Sequence, residues 1–305
     1  MADLARELSA FSRQPVGKGN IVSMRVAYFD PYSGASGDMI LGALVDAGVS
    51  VDALWTALAG LDLRGYHLQA ERIVRQGITG TQVTVALDPA VRHPSRNWRD
   101  IRALIERSEL SEPVRRRVIA VFASLAEAEA GVHGSSPDEV HFHEVGAVDS
   151  IVDIVAASAG LELLGVDAVY SGPLSLGHGF VETQHGTLPV PAPATATLIA
   201  NAGAPTRQLD VEAELLTPTG AALLTRLARF ERPPMRVTAV GYGFGQRQLP
   251  WPNALRLWVG ELIEDQPAVE LPGGGPSDLL IETNIDDMNP EFYEPLFERL
   301  FEAGA

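Results

Sequence analysis

The 305-residue sequence predicts an α/β or α+β fold, a mixed sheet with flanking helices, followed by an incomplete second domain. Three observations lead there. Strand-like and helix-like stretches alternate along most of the chain. Pairs of strand-like runs lie close enough to form hairpins, which argues against a purely parallel sheet. A Pro/Gly-rich stretch then separates a short remainder from everything before it.

Residues 25–29 (RVAYF) read as a buried strand, with Met24 immediately ahead of them. Residues 1–23 are expected to be a flexible extension. After a loop, residues 39–48 (MILGALVDAG) read as a helix ending at Gly48. A strand pair is expected at 66–74 and 78–87, where TQVTVAL alternates and Gly77 supplies the turn. Two helices fall between Asn97 and Val132. Ser111 caps the second, Pro113 sits in its first turn, and Val114, Val118, Val121, Phe122 and Leu125 share one face.

A short strand, EVHFH (139–143), and a nearly all-apolar helix from Ile151 to Leu164 come next, Ser150 and Asp153 giving that helix a capping-box-like start. A strand at 167–172 leads into a Gly/Pro/His loop, GHGFVETQHGTLPVPAPA. Helices near 194–202 and 219–229 and strands at 236–243 and 254–262 complete a domain over 24–263. Residues 264–277 (EDQPAVELPGGGPS) have linker composition. Residues 278–305 offer one strand, an acidic turn and one amphipathic helix, with Leu296, Phe297, Leu300 and Phe301 available for burial. Two elements cannot enclose a core, so they read as the start of a truncated domain.

Composition narrows the function. With 23 basic and 39 acidic residues the net charge is −16, which repels phosphate backbones and anionic lipid, so neither nucleic acid nor a membrane is an expected partner. Cysteine is absent, leaving any metal to His, Asp and Glu. No stretch approaches the roughly 20 apolar residues of a membrane span, and residues 1–23 lack a signal-peptide core. A cytoplasmic location is the default.

The densest chemical constellation is His141-Phe142-His143-Glu144, followed by Asp149 and Asp153. On a strand the two histidines share a face about 7 Å apart, and Glu144 or Asp149 can close a cation's shell. Asp149 can equally cap the following helix. Glu129 and His133, four apart near a helix end, share a face; His178 and His185 lie in the Gly/Pro-rich loop. Five of the seven histidines thus fall between 133 and 185. Such an N/O-rich set suits Ni, Zn, Mn or Fe, and spacing does not choose among them.

A second candidate runs from Asp30 through Ser33, Gly34, Ser36, Gly37 and Asp38, between a strand and a helix. Small residues there admit a phosphate to backbone amides and a helix N-terminus. It is neither a Walker A loop nor GxGxxG, and a plain strand-to-helix turn explains it as well. Asp30 could instead hold a metal or a ribose hydroxyl. Thr217, Thr219 and Gly220 open another helix, where capping competes with phosphate binding.

Five blocks, FDPYSGASGDM (29–39), VHGSSPDEVHFHEVGAVDSIVDIV (132–155), HGTLPVPAPAT (185–195), LLTPTGAALL (215–224) and ETNIDDMNPE (282–291), resemble the LarC family of nickel-insertion proteins. The resemblance runs from about Met24 to the last residue. It implies CTP-dependent insertion of nickel(II) into pyridinium-3,5-bisthiocarboxylic acid mononucleotide, forming the nickel-pincer nucleotide of lactate racemase-type enzymes. It further implies a C-terminal region that binds the cytidine nucleotide with Mg(II) or Mn(II), placing Asp286 and Asp287 at its start. That region is expected to be missing or supplied by another chain. A non-catalytic nickel-delivery protein and a metal-dependent hydrolase are the competing readings, since HxHE with aspartates also activates water.

Overall fold

The computed structural model describes residues 24–94, 96–140, 142, 148–183, 186–263 and 293–302. The chain divides into two compact units, residues 1–264 and 265–305. The first is built on a seven-stranded mixed sheet in the order β2-β3-β10-β11-β1-β4-β9. Its strands are β1 (Arg25–Asp30), β2 (Tyr66–Arg75), β3 (Ile78–Leu87), β4 (Ala168–Ser171), β9 (Ala228–Arg229), β10 (Met235–Phe244) and β11 (Ala254–Leu262). β11 lies at the centre, and β1 beside it is antiparallel to β11 and parallel to β4. The expected mixed sheet is therefore present, with the hairpin β2–β3 turning at Gln76 and Gly77, both at positive φ.

Seven helices accompany this sheet among the described residues: α1 (Gly37–Asp46), α2 (Val51–Ala59), α3 (Trp98–Glu106), α4 (Glu112–His133), α5 (Val148–Leu163), α6 (Pro193–Ala202) and α7 (Pro218–Leu227). Ser111 caps α4 as expected, its Oγ accepting from the Val114 amide at 3.3 Å, and Val114, Val118, Val121, Phe122 and Leu125 are all buried. The core under the sheet joins Phe29 of β1, Ile40, Leu41 and Leu44 of α1, Ile151 and Val155 of α5, and Leu257 and Val259 of β11.

Glycines set how closely α1 approaches the sheet. A Cβ on Gly243 would stand 1.8 Å from the Met39 carbonyl oxygen, and one on Gly241 2.1 Å from that of Ala43. From the helix side, Gly42 presses on the Thr81 carbonyl and the Gly243 Cα. Asp46 at the end of α1 then ties helix to sheet, accepting from the Thr81 hydroxyl at 3.1 Å and the Tyr242 amide at 2.9 Å.

Several local expectations are corrected. Residues 137–139 form a 3-10 turn begun by Pro137, and Val140 and Phe142 belong to no strand, so the described residues of the stretch read as a strand at 139–143 are not in the sheet; His141 and His143 lie outside the described residues. Burial governs there instead: Phe142 is 2% exposed and meets Phe122 edge-on at 6.2 Å. The following helix begins at Val148, which puts Ser150 and Asp153 inside it and removes their capping box. Asp149 in its first turn receives the Ser150 amide at 2.9 Å. The Gly/Pro/His loop is largely strand: β5 (Leu174–His178) pairs with β8 (Thr206–Glu212), and β6 (Phe180–Thr183) with β7 (Gly186–Pro189). Helix α2 and strands β8 and β9 carry patterns too short or too mixed to have been read.

Of the second unit, the described part is helix α8 (Tyr293–Glu302). It exposes Phe297, Leu300 and Phe301 and half-buries Leu296. The strand and acidic turn expected before it, with Asp286 and Asp287, lie outside the described residues.

The glycine contacts give a direct test. Gly243→Ala forces a Cβ into backbone and should cost about 3 kcal/mol or more. Gly131→Ala, in α4 with nothing within 4 Å of the new Cβ, should gain about 0.5–1 kcal/mol. Urea denaturation of both variants reads the two signs.

Candidate functional site

Three segments of the sequence meet at the N-termini of α1 and α7. The β1–α1 loop runs beside residues 215–217: the Ala35 amide donates to the Leu215 carbonyl at 2.9 Å, and the Thr217 amide to the Ala35 carbonyl at 3.1 Å. Gly34, at φ +97°, leaves no room for a side chain against Leu215, and Gly220 leaves none against Ala35. Thr217 caps α7 by accepting from the Gly220 amide at 3.2 Å, which is the structural role its position allows. Thr219 is buried in the same turn.

The third segment is α5. A Cβ on Gly37 would lie 2.3 Å from Oδ2 of Asp153, so glycine at the start of α1 makes space for that carboxyl. Asp38, one residue on, accepts from the Ser36 hydroxyl and from the Met39 amide. An acidic side chain thus already occupies the helix N-terminus, where the positive end of the peptide dipoles favours an anion. Apart from the Tyr32 hydroxyl, which has no partner among the described residues, several other polar groups of the loop are engaged. Gly34 donates its amide to the Pro31 carbonyl. The fully buried Ser33 hydroxyl donates to Asn253 Oδ1 at 3.2 Å and accepts from Trp251 Nε1 at 2.9 Å. Asp30 pairs with Arg256 at 2.6 Å.

Electrostatics single out Asp153. Burial, followed by the charges of Asp38 and Asp149, pushes its carboxyl well above the usual carboxylate range. Its Oδ1 is buried with no hydrogen-bond partner among the described residues, a costly state for a carboxylate. Burial likewise raises Asp38, against the lowering effect of its bonds from Ser36 and Met39. Three carboxyls therefore interact around one orphaned oxygen. Asp149 and Asp153, four apart on a helix, are the sequence signal for this pairing.

The predicted histidines divide. His133 lies 3.5 Å from Glu129, as its spacing on α4 suggested, and His178 at the end of β5 lies 3.2 Å from Asp210. His141, His143, Glu144 and His185 lie outside the described residues. Among the described residues no group of three or more His, Asp and Glu side chains is arranged to hold a metal ion. A cavity of about 800 Å³ between the α2–β2 connection and α3 is lined by Trp55, Tyr66, Arg64 and Arg107, and by none of the predicted residues. No described helix is long and apolar enough to cross a membrane.

A family model described as nickel insertion protein matches residues 27–305. A relative from Thermomicrobium roseum, named for nickel insertion, is 59% identical over 283 residues, covering 92% of this chain and 68% of its own. One from Roseiflexus castenholzii, also named for nickel insertion, is 50% identical and 70% covered. The relative from Desulfitobacterium hafniense, a pyridinium-3,5-bisthiocarboxylic acid mononucleotide nickel insertion protein, is 50% identical over 285 residues, 69% of its length. No solved structure matches the chain.

The buried carboxyl predicts a pH-dependent stability. An acid raised on folding holds its proton more tightly folded than unfolded. Its contribution is complete below the ordinary value of 3.8 and is lost as pH climbs towards the raised value. Asp153→Asn keeps the shape and removes the titration. In metal-free protein its melting point should exceed the parent's at pH 7, by about 2–4 °C per kcal/mol relieved, and the gap should close near pH 4. A gap that does not change with pH would show that Asp153 carries no buried-charge cost.

Proposed function

Because this chain belongs to the nickel insertion protein family, we propose that it places nickel(II) into pyridinium-3,5-bisthiocarboxylic acid mononucleotide, the substrate named for its Desulfitobacterium relative. The observation that carries this reading is the orphaned, proton-holding carboxyl of Asp153 where the β1–α1 loop, α5 and α7 meet. A buried oxygen without a donor is satisfied by a cation. Nickel would take the place of the proton, and its binding would then release that proton.

In this reading nickel is cargo. Asp153 and Asp149 act with His141, His143 and Glu144, a sequence block that ends four residues before α5 begins, and His133, His178 and His185 serve its delivery. These N and O donors hold a late divalent ion more loosely than sulfur does. Transfer to the thiocarboxylate sulfurs is therefore favoured, and bonding to the pyridinium carbon replaces that carbon's hydrogen, which leaves as a proton to a carboxylate or to solvent. The loop of Asp30, Ser33, Gly34, Ser36, Gly37 and Asp38, braced by Thr217, Thr219 and Gly220, forms the substrate-facing wall. CTP, with Mg(II) or Mn(II), is assigned to the region that begins near residue 278, with Asp286 and Asp287. Full activity then needs the remainder of that region, in the same chain or in another.

Nickel titration calorimetry tests the site. Affinity should fall as pH drops through the imidazole range near roughly 6.5. His141→Ala with His143→Ala, and separately Asp153→Asn, should each remove most of the binding. Parent-like affinity in the double variant would place nickel elsewhere. The activity is tested by mixing the chain with nickel, the mononucleotide and CTP, with and without the C-terminal region of a longer relative, and following metallated product by mass spectrometry. Product with CTP consumption is expected when that region is present. Tight nickel binding without product under either condition would favour a delivery protein.

A further inference from the structure

A buried donor without a partner is rare in a folded chain, and three of them gather about Arg256. Arg256 Nε, Trp258 Nε1 and Tyr32 Oη are shielded from water and have no hydrogen-bond partner among the described residues. The Arg256 guanidinium carbon lies 4.9 Å from the centre of the Trp258 ring and 5.9 Å from that of Tyr32. Guanidinium and indole nitrogens can only donate. The Tyr32 hydroxyl, pushed up to about 12 chiefly by burial, keeps its proton and can donate too. What these three donors lack is an acceptor. Asp30 takes Nη2 of the guanidinium and the Tyr242 side chain is a second hydrogen-bond partner of it, yet Nε itself is left without one.

Charge and position point the same way. In a chain of net charge −16, Arg207 and Arg232 join Arg256 around Tyr28, with Arg232 5.8 Å from the ring centre. Three arginines against one nearby carboxylate, Asp30, make this patch cationic. Register places Tyr28 opposite Trp258, Asp30 opposite Arg256, and Tyr242 opposite Arg256 on its other side. These residues alternate with the glycines and aliphatics that pack on α1, so they belong to the sheet face away from that helix. Arg256 keeps 34% of its side chain exposed, which lets a ligand reach it from solvent.

We propose that Arg256, Tyr32 and Trp258 form a pocket for a phosphate monoester on this face of the sheet. The oxygens of the dianion supply the acceptors that the three donors lack, with a charge-assisted bond from Arg256. The identity of the ligand rests on the proposed function: it is the phosphate of the pyridinium mononucleotide. The pocket itself stands on the orphaned donors. The β1–α1 loop is the weaker phosphate site, because Asp38 fills its helix N-terminus and the Gly34 and Ala35 amides are already bonded.

Calorimetry with nicotinamide mononucleotide, its riboside and inorganic phosphate tests the pocket. The mononucleotide should bind, inorganic phosphate should compete, and the riboside should not bind measurably. Tyr32→Phe and Trp258→Phe keep an aromatic ring and delete one donor each. Each should weaken mononucleotide binding about tenfold or more, and each should raise the melting point of the ligand-free chain, because an unpartnered buried donor destabilises it. A merely structural role for these groups would lower the melting point and leave affinity alone. Equal binding of nucleotide and riboside, or parent-like affinity in both variants, would overturn the pocket. Loss of phosphate recognition alongside intact nickel insertion would overturn it alone. Phosphate held here with no metallated product would overturn the function and leave the pocket standing.

Discussion

The distance between α1 and the sheet governs the first unit. With Gly241 and Gly243 on β10 and Gly42 on the helix, backbone meets backbone without intervening side chains. Asp46 then fastens the far end of α1 to β3 and β10. A helix held this close fixes where its first turn falls. Gly37 is set beside α5, and the loop that precedes it is set beside residues 215–217. The meeting of three remote segments at one point is thus a consequence of small residues well away from that point.

Stability and chemistry pull against each other there. A close-packed interior gives up free energy to keep a carboxyl such as Asp153 unpaired and low in solvent, and the surrounding apolar core has to cover that deficit. Helix α5 is nearly all buried through Ile151, Val152, Ile154 and Val155, so Asp153 has little freedom to swing out towards water. Rigid placement of an unsatisfied acid is what the proposed nickel site would require. By contrast, His133 and His178 each have an acidic neighbour on their own part of the surface, an arrangement that suits exchange with solvent.

Much of this was legible in the sequence. Apolar runs marked β1, β10 and β11, alternation marked the β2–β3 pair, and Ser111 and Thr217 announced their helices, because caps and periodicity are local properties. The start of α5 was placed too late because Ser150 and Asp153 match the local pattern of a capping box, although the helix already includes Val148 and Asp149. The small sheets of β5–β8 and β6–β7 were hidden by glycine, proline and histidine, residues that local propensity assigns to loops. At the site, clustering of histidines drew attention to 133–185, whereas the pairing of Gly37 with Asp153 spans more than a hundred residues and leaves no local trace. Arg256 did leave one. A lone arginine inside the apolar run ALRLWVGEL needs a partner or a task.

The strand order has a consequence for biosynthesis. β10 and β11 lie between the β2–β3 hairpin and the β1–β4–β9 group, so the two halves of the sheet are joined only by its last strands. β1 is made first and finds its antiparallel neighbour some 230 residues later, at Ala254–Leu262. Long-range pairing of this kind folds slowly, because a large loop must close before it is rewarded. On a ribosome, the nascent chain would carry two open sheet edges until residue 262 has left the exit tunnel. The first unit's greatest exposure to misassembly would thus come when its seven described helices are already made.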